Sequence, residues 1–108
     1  MYMKGFGLPL TRKRAILKYS NPTEIFRKAK RYIGKTAKIG FSTKREKKYM
    51  IETPDGRIVH FGQMSYQDYT RHADKTRRKN YLTRTAKIRG DWKKDKYSPN
   101  NLARNLLW

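Results

Sequence analysis

Ile25, Phe26, Ala29, Tyr32 and Ile33 recur at helical spacing, and the positions between them include Arg27, Lys28, Lys30 and Arg31. Asn21, Pro22 and Glu24 precede this run in the order of an N-cap, a first helical position and a capping-box residue, so the pattern predicts a helix starting at residue 22. Gly34 supplies its stop. The period then changes. Residues 35–41 alternate weakly and predict a short strand, while 47–53 and 57–61, rich in Tyr, Ile and Val, predict two stronger ones. Pro54, Asp55 and Gly56 lie between those two as a turn triplet, which makes them a β-hairpin with 35–41 available as a third strand. Helical spacing returns with Tyr66, Tyr69, Ala73, Tyr81, Leu82 and Ile88, one broken helix or two adjacent ones. Ser65 with Asp68, then Asp74, offer N-caps, and Gly90 ends the run. Ser98 and Pro99 open a last short helix, with Leu102, Ala103, Leu106 and Leu107 on one side and Trp108 after it.

Ahead of these elements, residues 1–20 show no firm period. Gly5 and Gly7 flank Phe6, Pro9 follows, and Arg12, Lys13 and Arg14 cluster together. This reads as an extended basic arm ordered by a partner, followed by a single small α+β domain over residues 21–108. No internal repeat of solenoid period interrupts that domain. Apolar residues make up only 36% of the chain while aromatics reach 13%, which predicts a thin core carried mainly by Tyr, Phe and Trp. There is no cysteine, so neither a disulfide framework nor a cysteine-based zinc site holds the fold. No stretch approaches the roughly 20 apolar residues of a membrane helix, which leaves a soluble or peripheral protein as the expectation.

Charge narrows the partner class. Lys and Arg number 28 against 8 Asp and Glu, a net charge of +20 over 108 residues, and such a surface seeks a polyanion: nucleic acid, an anionic membrane face or an acidic protein. In a neutral protein the basic runs at Arg12, Lys13, Arg14, at Arg27, Lys28, Lys30, Arg31, at Lys44, Arg45, Lys47, Lys48 and from Arg71 through Arg77, Arg78 and Lys79 would be solvated faces. Here the acids that would balance them are missing, so they are the candidate polyanion contacts. Tyr49, Phe61, Tyr66, Tyr69, Tyr81 and Trp92 interleave with the charge as stacking candidates, although tyrosines at helical spacing also serve cores. No helix-turn-helix, zinc-finger or RNA-recognition signature accompanies them.

The signals for catalysis are weaker. Gly34, Lys35 and Thr36 imitate the end of a phosphate-binding loop, but Ala29 stands where that motif needs glycine, and a helix precedes the segment. His60 and His72 have no ligand spacing. Asp68 and Asp74 sit at helix starts, and Asp91 and Asp95 beside Lys93, Lys94 and Lys96, so all four read as structural acids. The expectation is a non-enzymatic protein without metal, cofactor or small-molecule substrate. Leu102, Leu106, Leu107 and Trp108 concentrate apolar surface that either closes the domain's own core or docks on a partner.

From residue 47 to the end, the hairpin turn leading into His60, Phe61 and Gly62, then Tyr66, Asp68, Tyr69, Thr70, His72, Asp74, Arg77, Arg78 and Tyr81, and the ending Trp92, Ser98, Pro99, Leu102, Arg104, Leu107 and Trp108 carry a resemblance. The segment resembles short basic proteins encoded by large nucleocytoplasmic double-stranded DNA viruses. The resemblance brings no catalytic residues with it. It implies a virion structural protein, foremost a minor capsid component that contacts other virion proteins and turns its basic surface to a polyanion. The alternative it leaves open is a sequence-independent nucleic-acid-binding protein that packages or condenses the genome, with the virion, and the host cytoplasm or viral factory during assembly, as its locations.

Overall fold

The computed structural model describes residues 10–108, with side chains from Arg14 onward. Two helices, α1 (Leu10–Leu17) and α2 (Pro22–Tyr32), lead into three strands, β1 (Lys38–Phe41), β2 (Lys47–Glu52) and β3 (Ile58–Gln63). A single turn of helix, α3 (Tyr69–His72), α4 (Lys75–Ala86), a 3₁₀ turn (Trp92–Lys94) and α5 (Pro99–Leu102) follow, and α5 continues into a π-helical turn (Ala103–Leu107). The strands form one antiparallel sheet in the order β1-β2-β3. This is the expected α+β architecture.

Period-2 alternation builds the core face of the sheet. Ile39, Ile51 and Val59 form one cross-strand row and Phe41, Tyr49 and Phe61 the next. Against these rows pack Ile25, Phe26 and Ala29 of α2 and Leu102, Ala103, Leu106 and Leu107 of the last helix. Phe26 meets Phe41 and Tyr49 edge-on at centroid distances of 5.7 and 6.1 Å, and Tyr49 lies 5.9 Å from Phe61, so the aromatic share of the sequence is concentrated at the middle of the core.

Local chemistry sets the element ends. Asn21 Oδ1 accepts from Glu24 N–H at 3.4 Å, with Pro22 in the first turn of α2. Glu24 does not complete the capping box, because its carboxylate pairs with Arg27. Gly56, at φ 86°, turns the β2–β3 hairpin. Asp68, rather than Ser65, caps α3, since the residue that must accept from Thr70 N–H is the one directly before the helix. Helix α4 ends at Ala86, four residues short of Gly90, where Arg104 and Asn100 take its last carbonyls.

The N-terminal arm needs correction. Residues 1–9 lie outside the described residues, but 10–17 are helical, Ile16 is fully buried in the core and Ser20 is buried behind it. The elbow between α1 and α2 is held by Tyr19 O accepting from Asp68 N–H at 2.9 Å and Lys18 O accepting from Gln67 Nε2 at 3.4 Å. The domain therefore begins before residue 21.

The alternatives for the C-terminal segment also separate. Leu102, Leu106 and Leu107 are buried in the domain's own core, so their surface is spent internally rather than offered to a partner. Trp108 is half-buried, stacked on Tyr81 at 4.2 Å with the rings 9° apart and 5.1 Å from His72. Trp108→Ala is expected to destabilise the isolated protein by about 2 kcal/mol, from lost partial burial and ring stacking. Thermal or urea unfolding of the monomer measures this, and an unchanged midpoint would remove Trp108 from the fold's support.

Candidate functional site

Helix α4 carries more basic side chains than any other described helix. Its twelve residues include Lys75, Arg77, Arg78, Lys79 and Arg84 and no acid, and only Thr85 is buried. Beyond half-buried Tyr81, which packs against the core and stacks on Trp108, caps and side-chain clips hold it. Asp74 Oδ1 accepts from Thr76 and Arg77 N–H at 2.9 and 3.1 Å. Arg78 Nε donates to Trp108 O at 2.7 Å while its guanidinium covers the Tyr69 ring. At the far end Arg104 Nη1 donates to Leu82 O at 2.7 Å and to the Thr85 hydroxyl, and Asn100 Nδ2 donates to Thr85 O at 3.3 Å.

Held this way, α4 forms one wall of an open cleft of about 820 Å³. Arg77, Asn80, Tyr81 and Arg84 line it, the i, i+3, i+4, i+7 face of the helix. Lys47, Gln63 and Tyr66 stand across, on β2, β3 and the loop after β3. Phe61, Gly62, Ala103 and Leu107 also line it, with Trp108 at the end. The volume is that of a small-ligand site. Asp68 is the one acidic side chain in the lining, and it is already engaged: Lys48 Nζ donates to its Oδ2 at 3.3 Å, with both side chains about 2% exposed or less. Lys47, Arg77 and Arg84 therefore leave the cleft electropositive.

Behind it runs a buried polar chain. Tyr49 hydroxyl donates to Ser20 Oγ at 2.7 Å, Ser20 Oγ lies 3.4 Å from Thr70 Oγ1, and Thr70 hydroxyl donates to Asp68. Because Tyr49 uses a lone pair of Ser20, the Ser20 proton is free to point to Thr70, and every donor is directed toward the Asp68 carboxylate. Lys48 Nζ reaches that carboxylate from the other side and also donates to Tyr66 O. Burial pushes the Lys48 ammonium below its ordinary pKa, with Asp68 opposing the shift, and pushes the Tyr49 phenol up.

The predicted basic residues separate accordingly. Arg14, Lys30, Arg31, Lys44, Arg45, Arg77, Arg78 and Lys79 are exposed; the side chains of Arg12 and Lys13 lie outside the described residues. Arg27 is exposed but paired with Glu24. Lys28 is half-buried, its pKa lowered first by burial and also by Arg78. Lys47 joins Arg77 at the cleft. Lys48 does not belong to the contact set, because its ammonium is sequestered against Asp68. Arg84, Asn80, Gln63 and Tyr66 enter the site without having been marked as a set, since they come from separate segments.

Both histidines are held toward the neutral form. Burial lowers the pKa of His60, whose Nδ1 lies 2.7 Å from Ser42 Oγ, and Lys44 adds to the effect. Burial and then Arg77 lower that of His72, whose Nδ1 accepts from Asp74 N–H at 2.8 Å. Asp68 and Asp74 are helix caps, and among the described residues no three His, Asp or Glu side chains gather as metal ligands.

Residues 37–85 match a family of unknown function (DUF5754). The DUF5754 match starts just before β1 and ends one residue short of the end of α4, so it contains the sheet, α3 and the charged helix wall of the cleft, and leaves out α1, α2 and the closing C-terminal segment. No curated protein and no solved structure matches the chain.

Proposed function

We propose that this protein is a non-enzymatic nucleic-acid binder that holds phosphates without sequence preference, with α4 as its main contact helix. The observation that supports this is a twelve-residue helix with five cations, no acid and one buried residue. Lys75, Arg77 and Arg78 also crowd its N-terminal end, where the helix dipole disfavours positive charge and an anion relieves the repulsion. Phosphate contacts of this kind position a protein but read no bases.

In the setting suggested by the resemblance, this is a virion structural protein, a minor component with its basic surface turned to the genome. Burial of Leu102, Leu106 and Leu107 takes away the apolar surface a shell-docking role would have used, which favours the genome-binding reading. Proteomics of purified particles before and after shell removal separates the two: retention in the core supports genome binding, release with the shell supports the capsid reading.

Titration of duplex DNA against the full chain at several salt concentrations tests the binding itself. With four to six phosphates neutralised, log affinity against log salt is expected to fall with a slope of about −4 to −5, from roughly 0.9 per phosphate. A slope near zero would remove the phosphate reading.

A further inference from the structure

We propose that the cleft between β3 and α4 seats an unpaired nucleotide, so that the protein binds single-stranded nucleic acid in preference to duplex. The inference rests on the nucleic-acid reading above and names the form of ligand the cleft takes.

Three observations converge on it. The cleft, at about 820 Å³, has the capacity of a nucleotide site, whereas the bases of a duplex are paired inside and cannot enter. Its charge is cationic from both walls: Arg77 has no side-chain hydrogen bond or ion pair among the described residues, and its planar fork suits a phosphate bidentately, with Lys47 opposite. The remaining lining suits a base. Tyr66, 63% exposed, presents an aromatic face at the rim that the domain's own packing does not use. Gln63 and Asn80 bring side-chain amides, each both donor and acceptor, with no side-chain partner among the described residues. A cationic groove joined to an exposed stacking face is how proteins grip single strands without reading sequence.

The alternative occupant is an acidic peptide, which would use Arg77 and Lys47 but gain less from an aromatic face and paired amides. The test uses the full chain with labelled oligothymidylate and a duplex of equal length at one salt concentration, comparing wild type, Tyr66→Ala, Arg77→Gln and the remote control Lys35→Gln, each checked for folding by circular dichroism. Tyr66→Ala removes an exposed side chain and is expected to weaken the single strand by about 5- to 150-fold, the range for one base–aromatic stack, while leaving duplex affinity unchanged. Arg77→Gln should weaken the single strand more than Lys35→Gln does. Equal affinity for both forms, or equal losses on both in Tyr66→Ala, overturns the cleft assignment and leaves the phosphate-binding helix standing. Failure to bind either form overturns both readings. Displacement of the oligothymidylate, but not of duplex, by polyglutamate more strongly than by unlabelled strand assigns the cleft to an acidic peptide and overturns the nucleotide.

Discussion

Lys48→Met is expected to cost about 3–5 kcal/mol, the penalty for leaving a buried carboxylate without its counter-charge. Asp68 is 1% exposed, and with the ammonium gone it keeps only Thr70 N–H and the Thr70 hydroxyl as partners. Against a total stability of roughly 5–15 kcal/mol for a domain, that loss leaves a large unfolded fraction near the lower end of the range. The pair itself is a different quantity. Removing both charges with Lys48→Met and Asp68→Asn, which preserves an acceptor for the α3 cap, is expected to recover much of the loss, since no charge is then stranded. Urea unfolding of the four proteins measures the cycle. Single variants that lose nothing, or a double variant as unstable as their sum, would show that the two side chains are not coupled in the folded protein.

Gly62→Ala is expected to cost about 2–5 kcal/mol, combining about 1–2 for a left-handed backbone with about 1–3 for overpacking. Gly62 has φ 83°, and a Cβ placed there would lie 2.9 Å from Leu107 Cδ1 and 3.4 Å from Lys48 Cβ. Leu107 is 2% exposed and packed in the core, so moving its methyl disturbs that packing. Gly56 makes the comparison informative: its φ is 86°, yet nothing lies within 4 Å of its added Cβ. Gly56→Ala should therefore show only the backbone part, about 1–2 kcal/mol. The difference between the two alanine variants in chemical denaturation measures the steric contact alone. Equal losses would mean that Leu107 moves aside without cost.

Elements governed by neighbouring residues were legible before the structure. Asn21 with Pro22, the Pro54-Asp55-Gly56 turn, Asp74, and Ser98 with Pro99 each decide a boundary through contacts a few residues long, and the boundaries they imply are present. Helix α1 was not legible, because among its described side chains Ile16 alone is fully buried while Leu17 is 45% exposed, and one buried residue makes no period. Lys48 was hidden in a basic run whose other members look identical in sequence. Only the register of β2, and the fold of the 66–70 segment onto the α1–α2 elbow, assign it to Asp68 rather than to a ligand. The general basic character needed no structure. The cleft did, since Lys47, Gln63, Tyr66, Arg77 and Trp108 are neighbours only once the sheet, α4 and the last helix have packed.

The way α4 is anchored sets its resistance to local opening. With one buried residue and like charges three and four positions apart at Lys75, Arg78 and Lys79, its detachment relieves repulsion and exposes apolar surface mainly at Tyr81 and Leu82. A bound polyanion offsets that repulsion, so occupancy and helix order are thermodynamically linked. Dissolved ions then act on the two in opposite directions: screening weakens the repulsion within α4 and firms the empty helix, while the same screening weakens its hold on phosphate.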